Sequence, residues 1–152
     1  YEAEVEVHGR GRLSVEALYG DGADPTRDHR LEAREVLTHI HLPKPVEAER
    51  ASYFRLMSRT WAEWPLVEVS VRLVAEAGSI GFARVAIGAV ANVPLRLPRV
   101  EAALVGSPLT QATFERAANV ATEGANPLPQ TAYKVGLVRA SVLEALEQAA
   151  RP

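Results

Sequence analysis

The hydrophobic period of this chain changes once, and that change limits what it can fold into. Over residues 66–75 (LVEVSVRLVA) apolar and polar side chains alternate, residues 76–80 turn the chain, and residues 83–90 come back. A period of two puts neighbouring side chains on opposite faces of an extended strand, so these runs form an antiparallel hairpin. Beyond Pro94 and Pro98 the chain becomes alanine-rich and helical. Residues 99–105 predict a short helix ended by Gly106. Residues 110–123 predict a second, with Phe114, Ala117, Ala118 and Ala121 on one stripe and Gly124 at its end. After Pro127 and Pro129, residues 132–149 predict a third, with Val135, Val138, Val142 and Leu146 at helical spacing. Strands followed by helices indicate an α+β fold in which helices segregate from an antiparallel sheet.

The first part of the chain carries the period of two as well. Ala3, Val5 and Val7 alternate with Glu2, Glu4, Glu6 and His8, and Gly9-Arg10-Gly11 turns into residues 12–15, a further hairpin. Residues 19–30 mix Gly, Pro, Asp and charge and read as an exposed loop. Residues 35–43 form a strand stopped by Pro43 and Pro45, which cannot donate to a ladder. Residues 51–59 read as extended, with Tyr53, Arg55, Met57 and Arg59 on one face and Phe54, Leu56 and Ser58 on the other. Composition shifts between Arg59 and Trp64, which divides the chain into residues 1–59 and 60–152.

Composition removes several function classes. With 152 residues, 47% of them hydrophobic, the chain can bury one sizeable core or two small ones. A net charge of −2 supplies no global field for nucleic acid or anionic lipid. The absence of cysteine rules out disulfides, thiol catalysis and cysteine-held iron–sulfur clusters. No apolar run approaches the roughly 18 residues of a membrane span, and the N-terminal residues lack a signal-peptide pattern, so a soluble cytoplasmic protein is expected. The first residue is Tyr1 rather than methionine, which leads one to expect a processed product, a fragment or an incomplete start.

Motifs for complete catalysis are missing. His39 and His41 stand two apart in a strand, so their rings share a face and could share a metal or simply decorate an edge. Gly9-Arg10-Gly11 is too short for a dinucleotide fingerprint and precedes a strand where phosphate binding needs a helix. Glu63, Glu68 and Glu101 have no spacing that marks a catalytic pair. The unusual stretch is residues 51–65, ASYFRLMSRTWAEWP, which holds both tryptophans beside Arg55 and Arg59. Indole and guanidinium suit a flat or anionic ligand; the alternative is that Trp61 and Trp64 cap a core while the arginines pair with carboxylates.

Three stretches together resemble the FAD-binding (medium, flavoprotein) subunit of the molybdenum hydroxylases, the family of carbon monoxide dehydrogenase and xanthine dehydrogenase. The strand EVLTHIHLP at 35–43 is similar to that family's Gly-Glu-Leu-Leu strand ending in proline. YFRLMSRTWAEWP at 53–65 is similar to its tyrosine-x-lysine, arginine, aspartate-tryptophan-proline pattern. IGAVANVPLR at 87–96 with EAALVG at 101–106 is similar to its glycine-x-alanine-x-x-proline-x-arginine turn and following helix. The resemblance implies that residues 1–59 are the closing strands of an FAD-binding domain. Residues 60–152 would then be the C-terminal domain, a three-stranded antiparallel sheet with a three-helix bundle.

It further implies that Leu37, Arg55 and Trp64 contact the flavin. Arg55 stands where the family has lysine, which changes reach and geometry, and Glu63 stands where aspartate is usual. The family grips the FAD pyrophosphate and adenine with glycine-rich N-terminal loops, so the resemblance implies a partner N-terminal FAD-binding half or chain, without which this chain binds FAD weakly or not at all. It implies two more partners, a large molybdopterin subunit and a small iron–sulfur subunit, which carry those cofactors; this chain is then not catalytic alone. A second possibility is a non-catalytic assembly module that docks such subunits without touching cofactor. Neither reading involves nucleic acid or membrane.

Overall fold

The computed structural model describes residues 1–59 and 64–151. Its elements run β1 (Glu4–Val7), β2 (Gly11–Ser14), α1 (Val15–Tyr19), β3 (Leu37–His41), β4 (Glu49–Leu56), β5 (Val67–Glu76), β6 (Ser79–Gly88), β7 (Leu95–Arg96), α2 (Pro98–Leu104), α3 (Gln111–Val120) and α4 (Tyr133–Ala150). The order is α+β, as the switch in period requires. Two compact units result: residues 1–45 with 91–94, and residues 46–90 with 95–152.

The first unit is built on an antiparallel sheet in the order β2-β1-β3. Gly9 and Gly11 take positive φ (77° and 91°), the conformation a side chain disfavours, and so close the β1–β2 turn. Val5 and Val7 are buried on one face with Leu18, while Glu6 and its neighbours face outward, the outcome of alternation in a half-buried strand. Helix α1 is a local addition that the apolar period does not announce. Ser14 caps it by accepting the Ala17 amide at 3.0 Å. The loop after it is pinned by Asn92, whose side-chain amide donates to the carbonyls of Asp24 (2.9 Å) and Arg27 (3.1 Å).

The second unit contains an antiparallel sheet in the order β4-β5-β6-β7 and the three longer helices. Ala77 and Gly78, both at positive φ, make the β5–β6 turn. Val67, Val69, Val71 and Leu73 of β5 and Ala83, Val85 and Ile87 of β6 form one buried face. Packed on it are Val100 and Leu104 of α2, Phe114, Ala117 and Ala118 of α3, and Val138, Val142, Ala145 and Leu146 of α4. Small alanines on α3 and α4 let the helix backbones approach one another. Pro98 opens α2, where its missing N–H costs nothing, and Thr110 caps α3 through the Thr113 amide.

The sheet of this unit has four strands where the resemblance implied three, because β4 belongs to it. Residues 49–56 pair with β5 over their whole length, from Glu49 opposite Val74 to Leu56 opposite Val67. Inward-facing β4 residues also engage α4: Ser52 Oγ donates to the Ala145 carbonyl at 2.6 Å, and Arg50 Nη1 donates to the Ala150 carbonyl at 2.8 Å. The compact units accordingly divide after Pro45, where prolines interrupt the ladder, whereas composition had suggested residues 59–60. At the other edge β7 is only two residues long, pairing with Ala86 and Ile87. The next edge amide, that of Val85, is satisfied at 3.2 Å by the carboxylate of Glu101.

Candidate functional site

The sheet of the second unit leaves one face away from the helices. The register puts Tyr53 and Arg55 of β4, Glu68 and Ser70 of β5, and Ala86 and Gly88 of β6 on that face. Tyr53 is 59% exposed, yet its hydroxyl donates to Glu68 Oε2 at 2.8 Å. Chiefly through that hydrogen bond, with some desolvation, Glu68 raises the Tyr53 phenol above its ordinary value. Arg55 sits directly across the ladder from Glu68 and acts in the opposite sense on the same phenol. On the other side of Glu68 is Gly88, where an added Cβ would collide with the carboxylate and stand 2.8 Å from Glu68 Cγ. Glycine there lets the carboxylate lie down on the sheet.

Farther along the face, Phe82 lies between two guanidinium groups, with Arg84 4.3 Å and Arg72 5.1 Å from its ring centre. Arg72 also donates to Glu49 at 2.9 Å and is largely buried. That end of the face is occupied by its own contacts, and at the other end Tyr53 and Glu68 meet with Arg55 across the ladder.

Arg55 is the penultimate residue of β4, and the chain returns to β5 through Trp64, Pro65 and Leu66, whose amide donates to the Leu56 carbonyl at 2.8 Å. Arg55 and Trp64 therefore occupy the same end of the β4–β5 pair. Trp64 is 92% exposed, an unusual position for the largest apolar side chain. This excludes the alternative that Trp64 caps a core. Trp61 and Glu63 lie outside the described residues. Leu37, the third residue named by the resemblance, starts β3 in the first unit, opposite Val7.

The histidine pair finds a partner that spacing could not reveal. His39 and His41 stack with ring centres 5.8 Å apart, and the sheet brings Glu6 of β1 beside them: His41 Nε2 lies 3.0 Å and His39 Nδ1 3.9 Å from Glu6 Oε2. The hydrogen bond from His41 is the main reason that the Glu6 carboxyl lies below its ordinary value. Among the described residues no three metal-ligating side chains converge into a metal site. Two clefts lie elsewhere among the described residues. One of about 620 Å³ in the first unit is lined by Arg10, Arg27 and Arg30, bonded to Glu35, Glu32 and Asp21 respectively. The other, about 480 Å³, lies in the second unit among Ile87, Leu95, Pro127, Leu128 and Val138, where Lys134 donates to the Ala89 carbonyl at 2.8 Å. Among the described residues no helix is long and apolar enough to cross a membrane.

Comparison with known proteins meets this geometry. Nicotinate dehydrogenase FAD-subunit of Eubacterium barkeri is 27% identical over 138 residues, covering 90% of this chain and 44% of that protein. Carbon monoxide dehydrogenase from Hydrogenophaga pseudoflava, in a form that lacks the Mo-pyranopterin moiety of the molybdenum cofactor, matches with a TM-score of 0.83 and 27% identity, over 97% of this chain and 52% of that one. Quinoline 2-oxidoreductase from Pseudomonas putida 86 matches with a TM-score of 0.78 and 26% identity, over 98% of this chain and 52% of that one. The chain thus spans about half the length of the relatives it matches. Residues 52–149 match the family described as CO dehydrogenase flavoprotein C-terminal domain, a stretch that begins within β4 and ends within α4. By that match, its fold and the resemblance carried by its motifs, this chain belongs to the CO dehydrogenase flavoprotein C-terminal domain family, the C-terminal portion of the molybdenum-hydroxylase FAD subunit.

Proposed function

We propose that the chain forms the C-terminal part of the flavoprotein component of a molybdenum hydroxylase, and that Leu37, Arg55 and Trp64 help hold its FAD. The observation that carries this reading is Trp64, left 92% exposed at the end of the β4–β5 pair that also bears Arg55. The donor set suits a flavin. An indole offers a broad apolar face for a planar ring, a guanidinium donates to ring carbonyls while keeping its charge, and Leu37 adds an apolar contact. Bound FAD would supply the redox chemistry, receiving electrons that originate at a molybdenum centre and releasing them to an external acceptor. The protein's part is to bind and orient the ring and to keep water from its face. A partner N-terminal FAD-binding half, a large molybdopterin subunit and a small iron–sulfur subunit complete the proposed assembly, which places this chain at the last station of electron transfer.

The test is flavin retention in the native protein loaded with FAD. Covering about 200 Å² of indole is worth up to about 5 kcal/mol at 25 cal/mol per Å². Anchor residues of this kind commonly cost about 2 kcal/mol or more when truncated, about thirtyfold in Kd. Trp64→Ala and Arg55→Ala are each expected to weaken FAD binding, followed by flavin fluorescence, while the far-UV circular dichroism stays unchanged. Indifference of FAD affinity to both substitutions would favour the assembly module without cofactor contact.

A further inference from the structure

The second unit holds a cleft lined by none of the residues proposed to contact FAD. Its volume is about 480 Å³, and it lies where the β6–β7 edge of the sheet meets the start of α4. Ile87 of β6, Leu95 of β7, Val135 and Val138 of α4, and Pro127 and Leu128 of the connection between α3 and α4 give it apolar walls. Leu128 is 72% exposed, so part of this apolar lining stays uncovered. A concave space of this size, with apolar walls and a few polar groups, has the character of a small-molecule site.

The polar groups set the charge of what fits. Lys134 lines the cleft, and its Nζ donates to the Ala89 carbonyl at 2.8 Å. An ammonium has three N–H donors; among the described residues Lys134 makes this hydrogen bond alone, which leaves two donors for a ligand. The carbonyl that holds it belongs to Ala89, at φ 63° in the left-handed region that side chains disfavour. The amine is thereby anchored at the wall instead of swinging into solvent. Lys134 also stands in the first turn of α4, an 18-residue helix without a side-chain cap, so the positive end of the helix dipole adds to the ammonium. The carboxylate in the lining, Glu123, is engaged by Arg99 at 2.6 Å.

We propose that this cleft binds a small amphipathic monocarboxylate, its apolar body against Val135, Val138 and Leu128 and its carboxylate on the Lys134 ammonium. A hydrogen bond between these two ions is charge-assisted, and the apolar walls strengthen it relative to water. The proposal goes beyond the flavin reading and stands whether or not Arg55 and Trp64 hold FAD.

The test is isothermal titration calorimetry of the native protein with sodium octanoate, with octanol and octylammonium as neutral and cationic probes of the same chain length. Octanoate is expected to bind saturably, at least about tenfold tighter than octanol, and octylammonium more weakly than either. Lys134→Met keeps the apolar stem and removes the charge; it should weaken octanoate at least about tenfold while octanol stays within about threefold. Leu128→Ser, at an exposed position where folding tolerates a polar side chain, should weaken both octanoate and octanol, and it carries the test if Lys134→Met fails to fold. Absence of saturable octanoate binding, equal affinities for octanoate and octanol, or an octanoate affinity indifferent to the substitutions would overturn the proposal.

Discussion

Replacement of Glu101 by alanine is the perturbation with the largest expected consequence for the second unit. Glu101 lies in α2, is 6% exposed, and accepts two hydrogen bonds from Arg96, from Nε at 2.8 Å and Nη2 at 2.7 Å. It also accepts the Val85 amide at 3.2 Å and has Arg84 at 3.7 Å. Truncation leaves two cations and one buried edge amide without this acceptor. Breaking a buried pair from one side costs about 3–5 kcal/mol, and an orphaned amide accounts for about 1–3 kcal/mol of such a loss. Arg96 is 43% exposed at its side chain and can rehydrate, so the low end applies, about 3 kcal/mol. For a unit near 100 residues each kcal/mol corresponds to about 4–8 °C, so the melting temperature should fall by at least about 12 °C. Glu101→Gln keeps an acceptor for Val85 and should lose about half as much. The assay is thermal unfolding by circular dichroism at neutral pH, repeated at falling pH.

The sign of the pH effect follows from the carboxyl. Burial is the strongest single influence and pushes its pKa up, but the Arg96 hydrogen bonds, the Val85 amide and the charges of Arg96 and Arg84 together hold it below the ordinary 4.5. A pKa lower in the folded than in the unfolded state means stabilisation that is complete above about 4.5 and is lost as pH falls through the folded value. The gap between parent and Glu101→Gln should therefore close on acidification below about 4.5. A loss under about 1 kcal/mol for the alanine variant, or a gap that stays constant with pH, would show that Glu101 does not hold α2 to the β6 edge.

Other expectations are equally direct. Leu73 is fully buried beneath the helices, so Leu73→Ala should cost about 2–5 kcal/mol, read as a lower urea midpoint at unchanged m-value; an unchanged midpoint would mean that the sheet face is not the core. In the first unit, the Glu6 carboxyl should titrate below 4.5 by carbon-detected NMR and move upward in His41→Ala, because the His41 hydrogen bond is the main cause of its depression. An unmoved titration would show that His41 does not engage it.

Turns and strands were readable because their determinants are local. A period of two, a positive-φ Ala77-Gly78 corner and prolines at helix starts each act within a few residues, and they place β5, β6 and the three longer helices close to their observed bounds. The membership of β4 is different. Its residues read as extended, but which sheet they join is settled by pairing with β5 and by bonds from Ser52 and Arg50 to helix carbonyls 93 and 100 positions away. No spacing rule spans such distances, so the family pattern could suggest a division near residue 59 while the packing divides after residue 45. The candidate site divides in the same manner. The motif in residues 53–65 pointed to Arg55 and Trp64, and Gly88 fell within the motif at 87–96, whereas Glu68 had no signal that set it apart. Glu68 and Gly88 come together because the sheet register stacks positions 53, 55, 68 and 88 on one surface.

By itself, then, the sequence determined the types of its longer elements and, through its ordered motifs, the family. Those follow from short-range sterics and from hydrophobic period. Only the tertiary structure decided that Glu6 meets His39 and His41, that Glu101 closes the β6 edge, and that Trp64 stands in the open. Such contacts join residues whose proximity is created by cross-strand register and helix packing, and it is there that charge, burial and exposure acquire their chemical meaning.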